Sequence, residues 1–417
     1  MSHVFSVRRL LFPLNPLYRL ALAFHELRLF ATPARRLRFP VVSIGNLSTG
    51  GSGKTPLTIA LASALQWRGI RVDVLSRGYG RQGQSIDRVD EHGTAEDFGD
   101  EPLLIARVTG VPVYVSPQRY DAGLLAEADA KAEDARQLTS KPKPRVPEPN
   151  VSEPSTPQSK EADTKVEKPS AQTEQALASV KPEIPSHTAG VKPAESSGEL
   201  APEAAPAEKS PAVSTPPLHV HLLDDGYQHR QLARNVNILL LNQRDWKDWL
   251  LPAGNLREPI DSISRADVLA VPANEPELEV ALHFYGWDRP VWRISRSLEI
   301  PEVNGPVAAF CGIAHPDQFF EGLVDAGLEV ALRLAFPDHY TYTVSVLEEL
   351  IAQASEMNVA AVVTTEKDLV RMGNLALLFP KSMPLTTARL HIKIEDQNAA
   401  IDWLVKRLAP SPPHPPL

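Results

Sequence analysis

The chain has 417 residues, room for two or three domains, with an apolar fraction of 43% that can fill real cores and a high count of 39 prolines. Its one cysteine, Cys311, excludes a disulfide framework and any cysteine-rich metal centre; it sits in the apolar run Val307–Gly312, where a packed thiol is expected rather than a nucleophile. A net charge of −8 argues against a general nucleic-acid binder.

Residues 4–38 interleave large apolar side chains (Leu10, Leu11, Phe12, Leu14, Leu17, Tyr18, Leu20, Leu22, Phe24) with Arg8, Arg9, Arg19 and Arg28, followed by Arg35, Arg36 and Arg38. Pro13, Pro16 and the arginines interrupt the run, so it cannot span a bilayer. Basic residues beside apolar ones fit a segment lying in the interface of an anionic membrane. A secretory signal ending at Ala21-Leu22-Ala23 is a rival, but export would separate the nucleotide site described next from its nucleotide. A helix packed on its own domain is the plainer alternative.

Phe39–Ile44 is a short apolar run and predicts a buried strand. Behind it, Leu57, Ala60, Leu61, Ala64 and Leu65 recur at the spacing of a helix with one apolar face. Between them lies Thr49-Gly-Gly-Ser-Gly-Lys-Thr55, a glycine-rich turn that opens the helix. Strand, turn and helix in this order form a phosphate-binding loop. Thr49, Gly50, Gly51, Ser52 and Gly53 offer backbone N–H groups to an anion at a helix N-terminus. Lys54 then reaches the β- and γ-phosphates, and Thr55 is placed to ligate Mg²⁺. The chain is therefore read as a nucleotide-binding protein, with Mg²⁺ as the partner of Thr55.

A second strand is expected at 71–75, ending in the basic loop Ser76–Arg81, where Arg77 either holds phosphate or sits on a solvated turn. Phe98-Gly-Asp-Glu-Pro102 leads into an apolar helix, with Asp100 at its start; Val111–Val115 is another strand, and Arg119 follows in a loop. Helix is possible from Gly123 to about Leu138. From about Glu133 to Pro217 the composition shifts to Pro, Ala, Glu, Lys, Ser and Thr without one aromatic residue, which reads as a disordered insertion. Strand 218–223 ends in Asp224 and Asp225, as a strand whose carboxylate handles Mg²⁺ does. Strands at 235–241 and 266–271 bracket the polar loop Leu251–Pro259, which carries Arg257 and Glu258. Beyond about 276 a second α/β region is expected, with strands at 291–295, 306–311, 328–335, 360–364 and 389–394 and helices at 316–326, 345–356 and 397–408. It contains Phe336-Pro-Asp-His-Tyr340 and Thr364-Thr-Glu-Lys-Asp368.

Gly45–Pro56, Ser76–Gly80, Gly99–Pro102, Asp224–His229, Leu251–Gly254 with Leu256–Pro259, Phe336–His339 and Thr365–Asp368 together, in this order, resemble the tetraacyldisaccharide 4′-kinases of lipid A biosynthesis. Ser48, where the usual phosphate-loop pattern has glycine, is what this family tends to carry. The resemblance implies a P-loop NTPase-type parallel sheet core with a second, smaller α/β domain that closes on nucleotide. The expected division is an interface segment at 1–38, a kinase core at 39–132 and 218–275, an insertion at 133–217 and a C-terminal α/β domain at 276–417.

The activity it implies is transfer of the γ-phosphoryl of ATP to the 4′-hydroxyl of a tetraacylated disaccharide 1-phosphate, at the cytoplasmic face of the inner membrane, with the glycolipid and the membrane surface as partners and no obligate protein partner. Asp100 takes the role of base, paired with His339 from the other domain. Asp225 and Glu258 are candidate metal ligands beside Thr55; Arg77, Arg119, Asp224, Gln228 and His229 belong to the acceptor or phosphate region. Thr365–Asp368 either approach the nucleotide base or close a strand. Two rivals remain at this level. A membrane-attached regulatory NTPase of the deviant Walker A class has a similar loop but carries lysine where this chain has Thr49. A nucleotide-dependent scaffold would have no need of Phe336–His339.

Overall fold

Apolar runs closed by glycine and polar turns become the strands of one mixed, mostly parallel sheet. The computed structural model describes residues 9–30, 33–51, 53–140, 218–300 and 302–409. The strands are β1 (Val41–Asn46), β2 (Arg71–Ser76), β3 (Asp87–Arg88), β4 (Val113–Val115), β5 (His219–Leu223), β6 (Val236–Leu240), β7 (Val268–Pro272), β8 (Val291–Glu299), β9 (Val307–Cys311), β10 (Val330–Ala335), β11 (Ala361–Thr365) and β12 (Leu385–Ile394). Their order is β10-β9-β11-β12-β8-β7-β6-β1-β5-β2-β4-β3. Among the strands of the described residues, only β12–β8 and β3–β4 pair antiparallel, and the parallel pair β7–β8 joins the strands of the C-terminal part to those of the nucleotide core.

Every residue of β1 and of β5 is buried, as parallel strands covered on both faces require. The register pairs Val41 with His221 and Ser43 with Leu223. The turns after β1 and β5 therefore leave the same edge of the sheet side by side, which is where ligands bind in open α/β sheets. Helix Lys54–Trp67 packs Leu57, Leu61 and Leu65, all fully buried, into the largest apolar core. Each such leucine contributes roughly 1.5–3 kcal/mol of burial.

Several elements differ from the sequence reading. Arg119 opens helix Arg119–Ser140 instead of lying in a loop, and the helix expected from Gly123 to about Leu138 crosses the boundary at Glu133 that composition gave the insertion. The alanine-rich sequence favours helix, and Arg71 pairs with both Glu133 and Asp134. Residues 141–217, like Ser52 and residues 1–8, lie outside the described residues. Helix Pro276–Tyr285 was not anticipated, although Pro276 at its start and Gly286 in the left-handed region at its end are regular start and stop signals. Helix Glu366–Met372 grows directly out of β11, its first turn capped by Thr365.

A buried ion network ties β2, β5 and helix Arg119–Ser140 together. Asp73 accepts from His219 Nε2 at 2.7 Å and His221 Nδ1 at 2.5 Å, and Glu127 stands 3.6 Å from His221 Nε2. These are hydrogen-bond spacings; two ligand atoms around one zinc ion stand roughly 3.3 Å apart. Burial alone would lower the His221 pKa, but Asp73 and Glu127 outweigh it and push it up to about 9. A pKa raised on folding contributes stability in full below the unfolded value and loses it as pH climbs through the folded one. Thermal melts should therefore show stability held to about pH 7 and a loss on the order of 2–3 kcal/mol by about pH 10. His221→Gln should flatten this alkaline limb; a limb of unchanged steepness would contradict the assignment.

Candidate active site

The phosphate loop begins where β1 ends and turns into its helix at Gly53, whose φ of 90° and ψ of 20° place it in the left-handed region open to glycine. Lys54 is buried, and its Nζ donates to Asn46 Oδ1 at 3.2 Å while standing 3.6 Å from Asp225 Oδ1. Asn46 is itself held by Gln228, whose side-chain amide donates to the Asn46 carbonyl at 2.8 Å. The lysine is thereby fixed at the mouth of the loop before any anion arrives.

Asp224 and Asp225 follow β5 with opposite environments. Asp224 accepts from Thr58 Oγ1 at 2.9 Å and is fully enclosed. Burial, then the charges of Glu101 and Asp225, push its pKa up to about 7. Burial acts on Asp225 in the same direction but is outweighed by Lys54, Arg257 and Arg119, which hold its carboxyl below the usual range. Asp225 sits at φ 46°, an uncommon conformation outside glycine that aims its side chain away from the strand direction. Its Oδ1 is buried and accepts no hydrogen bond among the described residues. A carboxylate oxygen without a hydrogen bond, in the same cleft as the buried Thr55, fits a divalent cation.

One cleft of about 560 Å³ collects Gly50, Gly51, Gly53, Lys54, Thr55, Arg77, Arg119, Asp224, Asp225, Gln228, His229 and His339. Thr49 faces a separate opening of about 570 Å³ on the other side of the loop, and both its N–H and its hydroxyl bond the Asn255 carbonyl. Glu258 is not among the residues lining the cleft; its carboxylate is taken by Arg265. Within the cleft, burial and then Arg119, Arg234 and Arg77 push the His229 pKa down to about 4, so its ring is neutral among arginines. The Arg119 Nε and Gln228 Oε1 are buried without partners among the described residues. This corner is built for a polar, anionic group.

Asp100 and His339, separated by 239 positions, are hydrogen-bonded, with Nδ1 3.1 Å from Oδ2. Gly99 makes this possible: its φ of 91° turns the chain into helix Asp100–Thr109, and a Cβ there would stand 2.9 Å from the Tyr79 carbonyl. Only His339 lines the cleft; Asp100 is 4% exposed and lies behind it. The Tyr79 ring stands 5.0 Å from that of His339. The hydrogen bond to Asp100 raises the His339 pKa. Arg371, which the sequence reading missed, donates twice to Asp100 Oδ2, and Lys367 donates to the neighbouring Glu101. Asp368 is fully buried and gathers Gly312 N, Tyr342 Oη and Thr365 Oγ1, so the strand-closing alternative describes that residue, while Lys367 reaches the cleft.

A family model described as tetraacyldisaccharide-1-P 4′-kinase matches residues 7–134 and 205–409. A tetraacyldisaccharide 4′-kinase of Koribacter versatilis is 33% identical over 89% of this chain and 90% of its own. One of Aquifex aeolicus is 31% identical over 83% of each. A crystal structure of LpxK from Aquifex aeolicus in complex with ATP aligns with a TM-score of 0.59 at 26% identity, covering 97% of this chain and all of that one. With the phosphate loop, the paired aspartates and the Asp100–His339 contact in one cleft, the chain belongs to the tetraacyldisaccharide-1-P 4′-kinase family.

Proposed function

We propose that the chain transfers the γ-phosphoryl group of ATP to the 4′-hydroxyl of a tetraacyldisaccharide 1-phosphate, forming the 1,4′-bisphosphorylated lipid A precursor. The observation that carries this reading is the meeting of Lys54, Asp225 and His339 in one cleft. Phosphoryl transfer depends on positioning and charge neutralisation more than on covalent chemistry. Lys54 and the loop amides cradle the β- and γ-phosphates. Thr55 and Asp225 would hold Mg²⁺, which supplies charge neutralisation on the phosphate oxygens when bound. His339 accepts the proton of the sugar hydroxyl, and Asp100 holds the other ring nitrogen and so fixes the tautomer. Arg77, Arg119, Gln228 and His229 receive the acceptor's polar groups. An acceptor whose 4′-hydroxyl is replaced by hydrogen should take up no label from γ-labelled ATP; label in that lipid would overturn the assignment of the reacting hydroxyl.

The family match omits 135–204, which supports reading that stretch as an insertion between 39–132 and 218–275, with 276–417 as the smaller C-terminal part.

The N-terminal segment meets the membrane in this reading. Helix Asn15–Phe30 packs Tyr18 and Leu22 on the core and leaves Leu17, Leu20, Phe24 and Leu27 exposed, each by about two-thirds or more. Tyr18 Oη donates to the Arg257 carbonyl at 2.9 Å, so the helix is anchored to the loop beside Asp225. No helix among the described residues is long and apolar enough to cross a membrane. A peripheral position on the cytoplasmic face of the inner membrane puts a lipid acceptor and cytosolic ATP within reach of one site. Leu20→Glu with Phe24→Glu should reduce co-sedimentation with phosphatidylglycerol vesicles at least tenfold, because two exposed apolar side chains that would enter the lipid become charges. Undiminished pelleting would contradict the proposed docking.

A further inference from the structure

Resting on the kinase reading above, we infer that Arg371 is the positioning residue of the transfer site: its guanidinium clamps the Asp100 carboxylate so that Asp100 orients the His339 ring and His339 alone meets the acceptor hydroxyl.

The geometry is specific. Arg371 Nε and Nη2 donate to Asp100 Oδ2 at 2.8 and 2.5 Å. Its Nη1 donates to Asp368 Oδ1 at 2.9 Å and to the Gly312 carbonyl at 2.5 Å. All three guanidinium nitrogens are engaged, and the side chain is 7% exposed. The far end of the clamp is rigid, because Asp368 also accepts from Gly312 N at 3.0 Å, Tyr342 Oη at 2.9 Å and Thr365 Oγ1 at 2.6 Å. Nε and Nη2 both converge on Asp100 Oδ2, the oxygen that also faces His339 Nδ1, and two N–H groups of one planar guanidinium fix its position in a way that a lysine ammonium cannot. Arg371 does not line the cleft; it reaches the site through Asp100 and through its Nη2, which stands 3.4 Å from His339 Nδ1.

Consequences for proton transfer follow from the charges. The second Asp100 oxygen accepts from Glu101 N at 2.9 Å, so the surroundings of this carboxylate donate to its ionised form. Burial would raise its pKa, but the bond from His339 and the charges of Arg371 and Lys367 hold it well below the usual carboxylate range. A carboxylate so held does not take a proton near neutral pH; it keeps Nδ1–H of the imidazole pointed at itself. The groups facing His339 are Asp100 from helix Asp100–Thr109, Tyr79 from the loop after β2, Asp338 from its own loop, and Arg371 from helix Glu366–Met372, while the paired Glu101 and Lys367 line the same cleft. Asp100 and Asp338 favour the imidazolium, whereas Arg371 opposes it. The arginine thus fixes the geometry and moderates the basicity of His339.

Arg371→Gln and Arg371→Lys should be compared with wild type for γ-phosphate transfer to tetraacyldisaccharide 1-phosphate from pH 6 to 9. Arg371→Gln is expected to lose about 10²-fold in kcat at pH 7, the scale of a misplaced catalytic group, with both KM values changed less than threefold. The acid limb of its kcat profile should move to higher pH, because the cation opposing protonation of His339 is gone. Arg371→Lys should lose less, and guanidinium ion should restore at least tenfold in Arg371→Ala. Retained stabilisation by Mg-ATP in thermal melts identifies folded variants; where Arg371→Gln does not fold, the lysine variant and guanidinium rescue decide. Full kcat, a loss confined to KM, or an unmoved limb without rescue would overturn the positioning role. If wild type itself labels no lipid, it is the kinase reading that fails.

Discussion

Replacing His339 with alanine is expected to lower kcat for lipid phosphorylation by about 10²–10⁴-fold, the usual worth of a general base, with the KM for ATP held within threefold. The expectation comes from where the ring sits. His339 lines the cleft, and its hydrogen bonds and ion pairs among the described residues go to Asp100, Arg371 and Asp338 rather than to Lys54 or Asp225, so its loss should leave the phosphate loop unaltered. Asp100→Asn should fall in the same range for a different reason. The amide preserves shape but no longer favours the Nδ1–H tautomer, so the ring nitrogen facing the hydroxyl is misassigned. His339→Ala and Asp100→Asn combined should cost scarcely more than either alone, since residues acting as one unit are strongly non-additive. Steady-state rates at saturating acceptor measure this directly. Independent, multiplying losses would show that the two side chains do not work as a pair.

The second large effect is at Lys54. Lys54→Met is expected to reduce kcat/KM for ATP by about 10³-fold, somewhat beyond removal of a single preorganised donor to developing charge. The lysine is fixed by Asn46 and faces Asp225, so the substitution removes a phosphate donor and one of the cations beside the half-buried Asp225 carboxylate at once. Arg257 and Arg119 still neutralise Asp225 from the other side, at 3.3 Å to its Oδ2 and 3.2 Å to its backbone carbonyl respectively. The fold should therefore persist while Mg-ATP no longer raises the melting temperature. A variant still stabilised by Mg-ATP as wild type is would remove Lys54 from the phosphate site.

The nucleotide half of the site was legible because it is local. β1, the glycine turn and the amphipathic helix follow one another within residues 41–67, and each carries its own periodic or glycine signal. Asp224 and Asp225 were readable for the same reason, since they terminate an apolar strand. The acceptor half is a long-range construction. No periodicity connects Asp100 with His339, and their pairing came from the resemblance of separate blocks to a known family. Arg371 escaped altogether: its helix has seven residues, too short for a face to repeat, and its partner lies 271 positions away. Glu258 carried the right chemistry in the right loop, but Arg265, seven residues on, takes its carboxylate. His219 and His221 alternate on one face of β5; that spacing was visible, and only Asp73 on the neighbouring strand gives it meaning.

Transfer of labelled γ-phosphate from Mg-ATP to a tetraacyldisaccharide 1-phosphate in detergent micelles, with wild type run beside His339→Ala, tests the central claim most directly. The account predicts label in the lipid with wild type, and at least a hundredfold less with His339→Ala at unchanged nucleotide affinity. Hydrolysis of ATP with no label in the lipid, or equal labelling by both proteins, would contradict it.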